Sequence, residues 1–125
     1  MRARRLLITT LALILILSLA VVPAAGAEEM DMDGCSHDPS IESLRSCVEH
    51  ATEHGHIDNA GITRALLAKL DAATKALSKG NVTQAVDILN AFVAQIDAQQ
   101  GHHILAEHAA HLRSHAEAVI AALID

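Results

Sequence analysis

The sequence predicts an all-α protein: a small up-down-up-down four-helix bundle over residues 41–125, preceded by a cleaved signal peptide (1–27) and an irregular acidic arm (28–40). Three observations carry this. Apolar residues recur at three- and four-residue steps in four separate stretches after Ser40, and no segment shows the period-two alternation of a strand. Gly55, Gly80 and Gly101 interrupt that pattern, and glycine is the usual residue at a helix stop. The connections left between the stretches are short, which forces successive helices to run antiparallel.

The N-terminus reads as an export signal. Arg2, Arg4 and Arg5 precede an apolar run over 6–22, and Pro23 leads into the small residues Ala24, Ala25, Gly26 and Ala27. Ala25-Gly26-Ala27 fits the cleavage rule for such signals, which would start the exported chain at Glu28. A retained anchor is the competing reading, because the run is close to the lower limit of a membrane span, about 17 residues. The small-residue exit favours cleavage, and with it no stable membrane span after export. The arm that follows is rich in acid and broken by Gly34 and Pro39, with no helical period.

Ser40 is placed to cap the first helix, because its hydroxyl oxygen can accept from an unpaired N–H of the first turn. Ile41, Leu44, Cys47, Val48 and Ala51 form that helix's apolar face, and Gly55 its stop. Asn59 caps a second helix reaching Lys79, whose face is Ile62, Leu66, Leu70, Ala73 and Leu77. After Gly80, Asn81 and Gln84 have the spacing of a capping box. The third helix runs to about Gln100 and buries Val82, Val86, Leu89, Phe92, Val93 and Ile96. The last begins near Ile104 or Leu105 and buries Leu105, Ala109, Leu112, Ala116, Val119, Ile120 and Leu123. Many alanines allow close helix approach but make a modest core.

Composition narrows the function. Loss of the three signal arginines leaves six basic residues against fifteen acidic ones, a formal charge of −9, and Phe92 is the only residue among Phe, Tyr and Trp. Nucleic acid is not an expected partner, since it calls for a basic footprint and often for stacking aromatics. Two cysteines in a small exported domain usually pair, so a Cys35–Cys47 disulfide tying the arm to the first helix is expected. Spacing alone leaves a thiolate metal site or two free thiols open.

From His56 onward the order of features is specific. Asn59-Ala60-Gly61-Ile62, Leu66-Leu67-Ala68-Lys69-Leu70-Asp71-Ala72-Ala73, the turn Gly80-Asn81, Leu89-Asn90-Ala91-Phe92-Val93 and the stop at Gly101 resemble the FIMAH domain over residues 56–123. That family is a small helical module of secreted bacterial proteins, often appended to larger extracellular enzymes or surface proteins. The resemblance implies a protein or cell-surface partner. It brings no catalytic residues, and no enzyme is expected.

Nine histidines, all after residue 36, are denser than the resemblance implies. His50 and His54 lie four apart on the first helix, where two rings on consecutive turns can share an ion. On the last helix His108, His111 and His115 fall within about 60° of one another. An up-down topology gathers His54, His56, His102 and His103 at one end, with His50 and His108 a turn deeper. Imidazole suits copper, zinc and nickel. The expected metal ligands are therefore His50, His54, His56, His102, His103, His108 and His111, with Met30, Met32 and His37 of the arm as further donors. The plain alternative is a solvated histidine surface on exposed helix faces.

His50-Ala51-Thr52-Glu53-His54 also spells H-x-x-E-H, a zinc-peptidase pattern. That chemistry needs a larger scaffold and a substrate cleft, so no peptidase is expected. Asp31, Asp33 and Asp38 lack the terminal glutamate of a calcium loop. Two functions remain: an exported interaction or attachment module with a histidine-rich, metal-binding end, or a dedicated copper, zinc or nickel protein of the periplasm or cell exterior.

Overall fold

The structure is a computed structural model that describes residues 35–125. The expected signal peptide, its expected cleavage site and arm residues 28–34, with Met30 and Met32, lie outside them. Each of the first three helices begins behind a capping side chain. Before α1 (Ile41–Glu53), Ser40 Oγ accepts from Ser43 N–H at 3.1 Å. Before α2 (Ala60–Ser78), Asn59 Oδ1 accepts from Ile62 N–H at 3.1 Å. Before α3 (Val82–Gln99), Asn81 Oδ1 accepts from Gln84 N–H at 3.0 Å.

The reciprocal half of the expected capping box takes a different form. Asn81 Nδ2 donates to Gln84 Oε1 at 3.1 Å, because the Asn81 backbone N–H is already committed to Ala76 O at 2.9 Å. That second bond belongs to the ending of α2. Gly80 adopts φ 76° and donates to Leu77 O at 2.9 Å, so two terminal carbonyls are satisfied together. α1 ends in the same way: Gly55 has φ 79° and donates to Thr52 O at 3.1 Å, and His56 N–H donates to Ala51 O at 2.8 Å.

α4 (Ala106–Ile124) has no side-chain cap. Its entry is fixed by the neighbouring loop, where Leu105 N–H donates to His56 O at 3.1 Å and Asp58 N–H to His103 O at 3.0 Å. The α1–α2 and α3–α4 connections are thus stitched into a short antiparallel bridge at Ile57 and Ile104. Both isoleucines are buried, although neither belongs to an apolar face expected from sequence.

α1 packs on α2 and α4, and α3 packs on the same two, while the backbones of the diagonal pairs lie farther apart. This is the expected up-down-up-down arrangement. Leu44, Val48, Leu66, Leu70, Leu89, Phe92, Ile96, Ile104 and Val119 fill its centre. Ile62, Leu77, Val93, Ile120 and Leu123 are only partly buried against it. Two residues expected inside lie outside: Leu105 is 48% exposed and Val82 39%. Leu105 has an extended backbone (φ −57°, ψ 137°) that directs its N–H to the opposite loop, and Val82 is the first residue of α3 at the bundle's end. Ala85, one turn in, takes the buried place.

The described end of the arm is docked rather than loose. Cys35 and Cys47 form the expected disulfide, and the Ser43 hydroxyl donates to Ser36 O. Among the described residues, no helix is long and apolar enough to cross a membrane.

Candidate functional site

The histidines gather along the seam where α1 meets α4, in two groups. The first is a row. His50 and His54 face each other from consecutive turns of α1, ring centroids 4.2 Å apart and planes tilted by 43°. His56 follows at 6.2 Å from His54, and its ring stacks on His108 at 3.7 Å with planes only 16° apart. Local chemistry builds this row. Gly55 reverses the chain directly after α1, and the bond from Leu105 N–H to His56 O holds that turn against the start of α4, three residues before His108.

The second group joins the arm to α4. His111 and His115, four apart, present their rings on one face, and His37 approaches them at centroid distances of 4.2 and 5.1 Å. The Nε2 atoms of His37 and His111 face each other within hydrogen-bonding reach. His115 is buried at 4% exposure, and its Nε2 donates to Asp38 O at 2.8 Å. The acceptor is a carbonyl, so the proton must sit on Nε2. A cavity of about 260 Å³ opens beside these rings, lined by His37, His111, Ser114, His115 and Ala118.

Bond geometry separates pairs that can share an ion from pairs that cannot. With metal–nitrogen bonds of about 2.1 Å, two imidazoles on one tetrahedral ion have centroids about 5 Å apart, roughly 4.5 Å at a right angle and about 6.3 Å when opposed. His37 and His115, at 5.1 Å, fall within this range, and the pairs His50–His54 and His37–His111, both at 4.2 Å, fall just below it. The stacked His56 and His108 are too close and too parallel to hold the same ion. That contact packs the loop onto α4.

Of the seven ligands expected from sequence, His50, His54, His56 and His108 come together in the first group, and His111 joins the second. His103 turns away: its Nδ1 pairs with Asp58 Oδ1 at 2.8 Å across the loop bridge. His102 is exposed and makes no ring contact among the described residues. The tight turn after α3 explains both, since Ile104 takes its inward position and leaves the two histidines outside. His115 was legible as part of the α4 stripe. His37 is brought to it only by the docking of the arm.

Cys35, His37 and Cys47 place one sulfur or nitrogen each within 4.8 Å of one another, a spacing that would suit a metal. Both sulfurs are consumed in the disulfide, and a metal ligand must be a thiolate. The thiolate alternative therefore does not describe the oxidised protein. What the bond does is fasten His37, two residues from Cys35, beside α4.

The family model of the FIMAH domain matches residues 41–121. The match begins at the first residue of α1, so it takes in the helix that carries His50 and His54 as well as the region from His56 onward. No curated protein and no solved structure matches the chain.

Proposed function

The chain belongs to the FIMAH domain family, and from that premise we propose that it is an exported helical attachment module whose α1 end binds a copper, zinc or nickel ion. The observation that carries the metal part is the His50–His54 pair, whose 4.2 Å approach lies within a small ring rotation of chelating geometry. His56 is the third ligand, at 6.2 Å from His54 and within reach of a change in side-chain torsion. A disulfide that persists is suited to an oxidising compartment, which supports a periplasmic or cell-surface location. No catalytic role is assigned: Glu53 of the H-x-x-E-H pattern is an exposed residue in the last turn of α1.

Titration calorimetry of the oxidised protein with Cu²⁺, Zn²⁺ and Ni²⁺ tests this. A His50→Ala/His54→Ala variant is expected to weaken binding more than tenfold, since two of three ligands go. Unchanged affinity would overturn the assignment.

A second observation favours attachment. At the opposite end of the bundle an apolar groove of about 320 Å³ is lined by Pro39, Ile41, Leu77, Val119 and Leu123, on elements that approach from three helices. Apolar grooves with polar rims mark binding surfaces. The two roles occupy opposite ends, so saturable binding to the bacterial cell surface should persist unchanged in a chelator. Loss of that binding on chelation would instead make the ion part of the attachment surface.

A further inference from the structure

The Cys35–Cys47 bond closes over a set of donors that the oxidised protein cannot use. The two sulfurs and one ring nitrogen of His37 lie within 4.8 Å of one another, and His37 Nε2 is 3.9 Å from Cys35 Sγ. On one tetrahedral ion, with zinc–sulfur bonds of about 2.3 Å and zinc–nitrogen bonds of about 2.0–2.1 Å, a thiolate and an imidazole stand about 3.6 Å apart and two thiolates about 3.8 Å. His37 is thus near its ligating distance from Cys35 while the bond is intact. The sulfurs must part, and breaking the bond lets them.

The donors stay gathered after that only if something else holds the arm. Two hydrogen bonds flank His37, and neither involves a sulfur: the Ser43 hydroxyl donates to Ser36 O, and His115 Nε2 donates to Asp38 O at 2.8 Å. Ser40 N–H also donates to Asp38 O at 2.7 Å, which fixes the arm's approach to α1. Ser36 O lies 3.4 Å from Cys47 Sγ, so a thiol at Cys47 has an acceptor already in place. Reduction therefore removes the crosslink and leaves the arm against the helix face. The conformational cost of bringing three ligands together is largely met beforehand.

The chemistry of opening is thiol–disulfide exchange with an external dithiol. Cys35 is the more accessible sulfur, at 9% exposure against 3% for Cys47. A thiolate of the dithiol attacks Cys35 Sγ, the S–S bond breaks, and Cys47 leaves as a thiolate. The second thiolate of the dithiol then displaces Cys35, so the dithiol ends as a disulfide and the protein gains two electrons and two protons as two thiols. A divalent ion takes the place of those protons when it binds. We infer that Cys35, Cys47 and His37 form a redox-gated site for a thiophilic divalent ion of the zinc class, present only in the reduced protein. Thiolate and imidazole together suit such an ion, and three protein ligands leave a fourth position for water or an external donor. His37 is exposed, and its contact with His111 gives way to the ion. Ion and disulfide exclude each other, and either one ties the arm to α1. The site shares no ligand with the His50–His54 pair.

The test uses the full chain carrying His50→Ala/His54→Ala, either oxidised or reduced with a phosphine in the absence of oxygen. It is titrated with Zn²⁺ and with Co²⁺, whose thiolate charge-transfer absorption reports sulfur ligation. The reduced chain is expected to bind one ion with that absorption, and the oxidised chain to show none of it. No thiolate absorption in the reduced chain overturns the proposal. Adding His37→Ala should weaken binding to the reduced chain by at least about tenfold. Unchanged affinity there would mean that two cysteines bind by themselves, and the site as built here would fall. Because reduction lowers stability, melting in metal-free buffer and in Zn²⁺ gives a second readout. Zn²⁺ should raise the melting temperature of the reduced chain and leave that of a Cys35→Ser/Cys47→Ser variant unchanged; an equal response of the two also overturns the site. The His50–His54 ion is read in the oxidised protein, so either assignment can fail without the other.

Discussion

Phe92→Ala is expected to cost about 3–5 kcal/mol of folding stability, toward the upper end of that range. Phe92 is fully buried on α3, the helix packed against both α2 and α4. Removing a large side chain loses its transfer free energy and leaves a cavity whose cost depends on how far the neighbours can collapse. Much of this core cannot collapse well. Ala73, Ala76, Ala85, Ala109 and Ala116 are all buried, and alanine has no rotamer with which to fill a void. A domain of the size described here holds roughly 5–10 kcal/mol in total, so the variant should be left marginal. Urea denaturation followed by the helical signal measures the loss. Phe92→Leu, which keeps most of the volume, should cost about 1 kcal/mol. A loss below that for the alanine variant would show that the core relaxes around the gap.

Breaking the Cys35–Cys47 bond should have the next largest effect. The two cysteines are 12 residues apart, and closing a loop of that length in the unfolded chain is worth about 3 kcal/mol. Cys47 lies on the buried face of α1, the shortest helix, so the bond supports the element with least packing of its own. Reduction by a dithiol, or a Cys35→Ala/Cys47→Ala variant, should lower the melting temperature by on the order of 10 °C. The two treatments should agree, which separates the bond from any side effect of substitution. Unchanged melting would mean that the arm is fastened by Ser43 and His115 alone.

Much of the architecture was legible because its causes are local. Ser40, Asn59 and Asn81 cap the helices they precede, and Gly55 and Gly80 end the ones before them through a left-handed residue that satisfies terminal carbonyls. The expected disulfide and the antiparallel order are present as well. Helix periodicity does not say where burial stops, and so it assigns Val82 and Leu105, at helix starts, to a core that they do not enter. Ile57 and Ile104 were missed for the opposite reason. Their burial comes from a bridge between two loops far apart in sequence, which leaves no period in either.

The histidines divide along the same line. His50 and His54 form a pair that sequence alone determined, because residues four apart on a helix are neighbours whatever the rest of the chain does. Its place at the bundle's end makes His103 an expected ligand, but the turn after α3 hands it to Asp58. The meeting of His56 with His108, and of His37 with His111 and His115, was decided only by the tertiary structure. The first requires a positive-φ glycine and a loop bridge to aim one ring; the second requires an arm pinned by a disulfide. Local spacing specifies what a helix face carries, whereas the partner across a seam is set by backbone hydrogen bonds and crosslinks between segments that no periodicity connects.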